Sequence, residues 1–206
     1  KYDQILLWEI DEGKINQKFK GNHLAMCDGQ IAFCDQGGKL SVYIPLLKKE
    51  RWSTRIDNDS ISHISISRNG YIATSHNSGK VIVWKSEQPI TKWIFNNHQK
   101  DVPSIEFSPD GRILATGSLD CTINIYETVS GKMNTIYGHQ TGIRCLAFSP
   151  DGEILASGSD DGIIFLWDTT TGKMLQKLQG HSQSISCVTF TPDGKKINSG
   201  SLDGTI

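Results

Sequence analysis

The sequence predicts an all-β protein assembled from repeated units of four short antiparallel strands. Three observations predict it. His98, His139 and His181 stand 41 and 42 residues apart, so a unit of that length recurs. Within each unit, short apolar runs are separated by turn residues at the close spacing of an all-β array, about 8–12 residues. No segment carries the sustained 3.6-residue periodicity of a helix.

One unit, read in order, shows why. Ile143 to Phe148 alternates apolar and polar residues, as a half-buried strand does. It runs into Ser149-Pro150-Asp151-Gly152, where proline presets φ and glycine closes the turn. The second strand passes through Leu155-Ala156-Ser157-Gly158-Ser159 to the turn at Asp160-Asp161. Ile163 to Trp167 is near-continuously apolar and suits a strand covered on both faces. After Thr171-Gly172, Met174 to Leu178 forms the outermost strand and ends at Gly180-His181. The neighbours repeat the pattern: Phe107, Phe148 and Phe190 each follow their histidine by nine residues, and each enters a Ser/Thr-Pro-Asp-Gly turn.

Bulk properties narrow the function. The 21 basic and 22 acidic residues leave a net charge of −1, without the basic excess of a nucleic-acid binder. Lys48-Lys49 and Lys195-Lys196 read as solvated turns and strand ends. The longest apolar runs, Ile5 to Trp8 and Ile163 to Trp167, are far too short to cross a bilayer, so no membrane partner is expected. The five cysteines, at 27, 34, 121, 145 and 187, form no C-x-x-C pair. That argues against a disulfide framework or zinc knuckle and for a reducing, intracellular setting. Gly37-Gly38-Lys39-Leu40-Ser41 lacks the leading glycine of a phosphate loop, and Asp160-Asp161-Gly162 lacks the alternating acids of a calcium loop. No cofactor or metal is expected.

Gly138-His139 near one end of a unit, Trp167-Asp168 near the other, and Gly180-His181 opening the next copy resemble the WD40-repeat family from about residue 90 onward. The resemblance implies a β-propeller of four-stranded antiparallel blades. Before residue 90 the copies are degenerate: Asp57 stands in the histidine slot, Ser78 in the turn-aspartate slot, and Asn22 in an earlier histidine slot. Tyr43 and Trp84 take the aromatic place, while Trp52 and Trp93 read as outer-strand packing residues. Blades are expected over 23–57, 58–97, 98–138 and 139–180, with an outer half-blade over 1–22 and an inner half-blade over 181–206. The two halves share the same turn (Tyr2-Asp3 and Leu202-Asp203), so they overlap rather than close a ring. The chain then covers about five blades' worth of a seven-bladed propeller of about 290 residues.

A histidine, a hydroxyl and an aspartate invite comparison with a hydrolase triad, but an enzyme needs one such set in one cleft, not a copy per unit. No catalysis is expected. The family resemblance implies a buried hydrogen-bond chain instead, from turn Asp to His to Ser or Thr to Trp. It falls on His139, Ser157 or Ser159, Asp161 and Trp167; on His98, Thr116 or Ser118, Asp120 and Tyr126; and on His181 and Asp203. The blades centred near 40 and 78 lack the set and are expected to be less rigid.

The same resemblance implies a non-catalytic scaffold that docks other proteins or peptides on one propeller face. The positions are Asn77, Leu119, Asp160 and Leu202, with Asp101, Pro103, Arg144 and Ser186. Leu119 and Leu202 flanking Asp160 would form an apolar patch with a charged spot, or all eight are ordinary turn residues. The alternative is the sensor or docking domain of a larger signalling ATPase, kinase or transcription or chromatin complex, which a kinase motif or phosphate loop in flanking sequence would reveal.

Overall fold

The computed structural model describes residues 4–9, 14–35, 37–56 and 59–206. The expectations placed on Tyr2-Asp3 and Asp57 lie outside them. Four complete sheets follow one another, each a four-strand antiparallel meander. The first holds β3 (His23–Cys27), β4 (Gln30–Cys34), β5 (Lys39–Ile44) and β6 (Lys49–Arg55). The second holds β7 (Ile61–Ile66), β8 (Tyr71–His76), β9 (Val81–Lys85) and β10 (Thr91–Phe95). The third holds β11 (Ser104–Phe107), β12 (Ile113–Gly117), β13 (Thr122–Glu127) and β14 (Met133–Tyr137). The fourth holds β15 (Ile143–Phe148), β16 (Ile154–Ser159), β17 (Ile164–Asp168) and β18 (Met174–Leu178). Two-stranded sheets flank them: β1 (Gln4–Glu9) with β2 (Lys14–Lys20), and β19 (Ile185–Phe190) with β20 (Ile197–Ser201). The only helix among the described residues is a 3₁₀ turn at Pro45–Leu47, so none is long and apolar enough to cross a membrane.

A 40-residue sheet cannot bury both of its faces alone, and the core shows the solution. Apolar side chains form layers between successive sheets rather than within one. Leu40, Val42 and Trp52 pack against Ile61, Ile64 and Ile72 of the next sheet. Ala73, Val81 and Val83 pack against Val102, Ile105 and Leu114. Ala115, Ile123 and Ile136 pack against Ile143, Leu146 and Leu155. Ala156 and Ile164 pack against Ile185 and Val188. The β1–β2 pair joins the series through Phe19, whose ring lies 4.8 Å from Phe33 and 4.9 Å from Tyr43.

Innermost strands stand side by side: β3 with β7, β7 with β11, β11 with β15, β15 with β19. Side chains lock them where a strand ladder would otherwise be. The amide of Phe107 donates to Ser65 Oγ at 3.2 Å, and that of Leu146 to Ser104 Oγ at 3.0 Å. At the outer edge Trp52 and Trp93 do more than pack. Their indole N–H groups donate to the Ser86 carbonyl (2.8 Å) and the Thr128 carbonyl (3.3 Å) of the following sheet.

Candidate functional site

The repeated polar residues lie where each second strand meets the loop that enters the unit. In the third sheet His98 bridges the two. Its Nδ1 is 3.0 Å from Asp120 Oδ2 and its Nε2 2.7 Å from Thr116 Oγ1. A carboxylate only accepts, so the proton sits on Nδ1 and Nε2 accepts from the threonine hydroxyl or the Asn124 amide. Burial holds His98 below its ordinary pKa against the opposing pull of Asp120. Asp120 Oδ2 also accepts the Gln99 amide, while Thr122 holds Oδ1 from both its amide and its hydroxyl. Those hydrogen bonds outweigh burial and keep the carboxyl below its usual range. The last sheet repeats the geometry: His181 to Asp203 at 3.1 Å, His181 to Ser199 at 2.8 Å, and Thr205 on Asp203 Oδ1.

The alternatives left by the sequence divide cleanly. Thr116 and Ser157 contact the histidines. Ser118, instead, donates to the loop carbonyl of Asp101, stapling the loop to the strand end. The chain from Trp167 runs through Ser157 Oγ (2.8 Å) to His139 Nε2 (2.7 Å). Two members depart from the implied chain. Tyr126 reaches the aromatic place, but its hydroxyl is buried with no hydrogen-bond partner among the described residues, and burial pushes it up to about 12. His139 Nδ1 is likewise buried without a partner, because Asp161 Oδ1 accepts the Ser159 hydroxyl and the Ile163 amide instead.

The cause of the second departure is the residue two places past the aspartate. Thr122 and Thr205 orient their carboxylates from Oδ1 and free Oδ2 for histidine. Ile163 has no hydroxyl, so Ser159 takes the carboxylate. Burial therefore lowers His139 to about 4, against weaker upward pulls from the Asp161 charge and the Ser157 backbone. Its lowered folded value means stability is present at neutral pH and lost as pH falls below about 6.5 toward 4. Ile163→Thr is expected to turn Asp161 toward Nδ1 and raise the His139 pKa, since a paired carboxylate favours imidazolium. An NMR titration in which His139 is unmoved would refute this.

The sheet at 61–95, which the sequence leaves without the set, holds a histidine and an acid in exchanged places. The histidine is His76 on the second strand and the acid is Asp59 on the entering loop. His76 Nε2 lies 3.1 Å from Thr74 Oγ1, which also accepts the Trp84 indole N–H at 3.3 Å. His76 Nδ1 lies 3.4 Å from the Asp59 backbone carbonyl and 3.7 Å from Asp59 Oδ2, and that carboxylate accepts from the Ser78 hydroxyl. The signal was present: Thr74 precedes Trp84 by ten residues, as Ser157 precedes Trp167. In the sheet at 23–55 the place of the hydroxyl is taken by Phe33, whose ring packs against Phe19, and the Tyr43 hydroxyl donates to Gln17. The Asn22 side chain receives a long contact from the Cys34 thiol, 3.5 Å. Aromatic packing replaces the polar chain there.

The eight surface positions fall on one edge of the array. Four amides set the frame: Asn77 to the Ser60 carbonyl, Leu119 to Asp101, Asp160 to Gly142 and Leu202 to Ser184. Arg144 meets Asp160 through Nε at 2.7 Å and a second nitrogen at 3.3 Å, and Ser184 adds a hydroxyl to the same carboxylate. These bonds hold Asp160 below its ordinary pKa. Ser62, missed in the sequence, has its hydroxyl within reach of both Asn77 Oδ1 and Asp101 Oδ1, donating its one proton to either, and so stands between two units. Ser186 donates to the Gly200 carbonyl, and Pro103 is half-buried. The apolar patch is narrower than expected. Leu202 is 68% exposed, but Leu119 is half-buried because Gly142 leaves room for it: a Cβ there would lie 2.9 Å from Leu119 Cδ2. Among the described residues no three His, Cys, Asp or Glu side chains gather as a metal would require.

The family described as WD domain, G-beta repeat matches this chain three times, over residues 89–127, 131–168 and 172–206. A WD40 repeat-containing protein of Dictyostelium discoideum is 33% identical over 112 residues, a stretch that covers 50% of this chain and 17% of that relative.

Proposed function

We propose that this chain, which belongs to the WD40 repeat family, is a non-catalytic scaffold that docks proteins or peptides on the edge carrying Arg144, Asp160 and Leu202. Family membership supports a protein-interaction role in general, and proteins of this kind are in general non-catalytic. The observation that carries the finer reading is a constant frame with changing side chains. The same backbone bond recurs in four successive units, yet the residues mounted on it are Asn77, Leu119, Asp160 and Leu202. Beside them stand Ser62, Pro103, Arg144 and Ser186. A rigid array that varies only its outward groups is suited to recognition. The ion pair adds little stability at such a surface, but it fixes a donor and an acceptor in place beside an exposed leucine.

The histidine–aspartate pairs support the scaffold reading over chemistry, since each spends its hydrogen-bonding capacity on its own loop and turn. The five free cysteines support an intracellular, reducing compartment. A second reading, a docking domain within a larger signalling or chromatin assembly, is favoured by the matched relative, of which the aligned stretch is only 17%.

The test is affinity purification with quantitative mass spectrometry on wild type, Arg144→Glu/Leu202→Glu, and Tyr137→Glu on the outer strand as a control. Loss of a central contact pair is expected to lower recovery of the docked partner about tenfold or more, and the control to leave it unchanged. Partners that survive the double change and not the control would place docking elsewhere.

A further inference from the structure

The opposite edge of the array carries a second, chemically different surface. The hairpins joining third to fourth strands emerge there beside the turns joining first to second. Thr128 Oγ1 donates to the Gly111 carbonyl, and the Ser86 amide to Gly70, which ties each hairpin to its neighbouring turn. Three successive hairpins end in bare apolar side chains: Leu46 (91% exposed) with Leu47 (56%), Ile90 (47%) and Val129 (75%). Leu46 and Leu47 ride on the short 3₁₀ turn, which the left-handed Lys48 (φ 50°) terminates, and the turn buries none of its residues.

Charge around the first two hairpins is lopsided. Lys48, Lys49, Arg51, Arg68 and Lys85 are all exposed there, against Asp28, Glu50 and Glu87. Glu50 is itself engaged by Lys39 at 3.5 Å. Further along the same edge the balance reverses, with Asp151, Glu153 and Asp168 facing Lys173. A chain whose net charge is −1 thus sets an excess of cations beside Leu46, the most exposed leucine among the described residues.

We propose that the edge bearing Leu46, Leu47 and Ile90 docks on an anionic membrane surface, the leucines entering the headgroup region and Lys48, Lys49 and Arg51 meeting lipid phosphates. Apolar residues at hairpin tips, outside any groove, match a soft planar interface better than a protein pocket. Tips from successive sheets on one edge of a stiff array can meet a plane together. Apolar insertion combined with a basic collar is the physical basis of reversible surface binding. The sequence expectation of no membrane partner rested on span length, which governs crossing and not surface attachment.

Co-sedimentation with phosphatidylcholine vesicles, with and without phosphatidylserine, tests this. Binding is expected to the phosphatidylserine vesicles, at least tenfold weaker to phosphatidylcholine alone, and weakened by added salt. Leu46→Ser/Leu47→Ser and Lys49→Glu/Arg51→Glu change exposed side chains only. Each is expected to reduce binding at least tenfold while circular-dichroism melting stays that of wild type. Absence of binding to either vesicle, equal binding to both, or wild-type binding by the leucine variant would overturn the proposal. So would a protein partner captured through these tips by a protein that ignores vesicles.

Discussion

Trp167→Ala is expected to cost about 3–5 kcal/mol, the range for deleting a large buried aromatic, and to be among the most damaging single changes in the chain. The ring is 2% exposed and lies in the layer that joins the third and fourth sheets. Phe165 meets it edge-on at 5.3 Å, and it fills the space beside Gly138, where a Cβ would come within 2.6 Å of the indole. Alanine leaves a cavity and also removes the donor to Ser157, whose hydroxyl then contacts His139 alone. Urea unfolding read by circular dichroism would measure the loss. A change below about 1 kcal/mol, the level of an ordinary surface substitution or small trimming, would mean that the layer between these sheets does not hold the array together.

Gly79→Ala is expected to be comparably severe, for a backbone reason. Gly79 sits at φ +89°, where an L side chain costs roughly 1–2 kcal/mol. An added Cβ would lie 2.4 Å from the His98 carbonyl oxygen and 3.0 Å from that of Lys100. Neither obstacle is a flexible side chain, so the loop entering the next unit must move and carry His98 away from Asp120. About 3 kcal/mol is expected from the strain and the lost pairing together. The equivalent position of the next sheet holds Cys121 at φ +73°. Cys121→Gly should therefore stabilise by about 1 kcal/mol. Thermal melts of both variants provide the check. Equal melting temperatures for Gly79→Ala and wild type would show that the loop yields freely.

The repeat was legible because its punctuation is physical. Ser149-Pro150-Asp151-Gly152 forms a turn wherever it occurs, and its Gly152 amide bonds the Ser149 carbonyl. The alternation through Ile143–Phe148 announces a half-buried strand. The histidine–aspartate contact was legible at His98 and His181 for the same reason, as both partners keep their usual places in the unit. It was not legible at His139, where the outcome turns on whether Thr or Ile stands two residues past Asp161, a competition between side chains that spacing alone does not encode. Nor was it legible at His76, since a pattern that assigns histidine to the loop overlooks one on the strand. The half-burial of Leu119 depended on the missing side chain of Gly142 in a neighbouring loop, a tertiary fact. Ser62 escaped notice because its partners, Asn77 and Asp101, sit on different turns.

The exchange between Asp59 and His76 bears on how such arrays diverge. Where loop and strand end bring an acid and an imidazole together, either segment can supply either one. A copy can therefore drift through a reciprocal swap and keep its cross-brace while losing the letters by which copies are recognised. The family pattern begins its first match at residue 89, yet complete four-stranded sheets stand at 23–55 and 61–95 as well. Ancestral units in proteins of this architecture will be undercounted wherever kinship is scored by residue order instead of by complementary pairs.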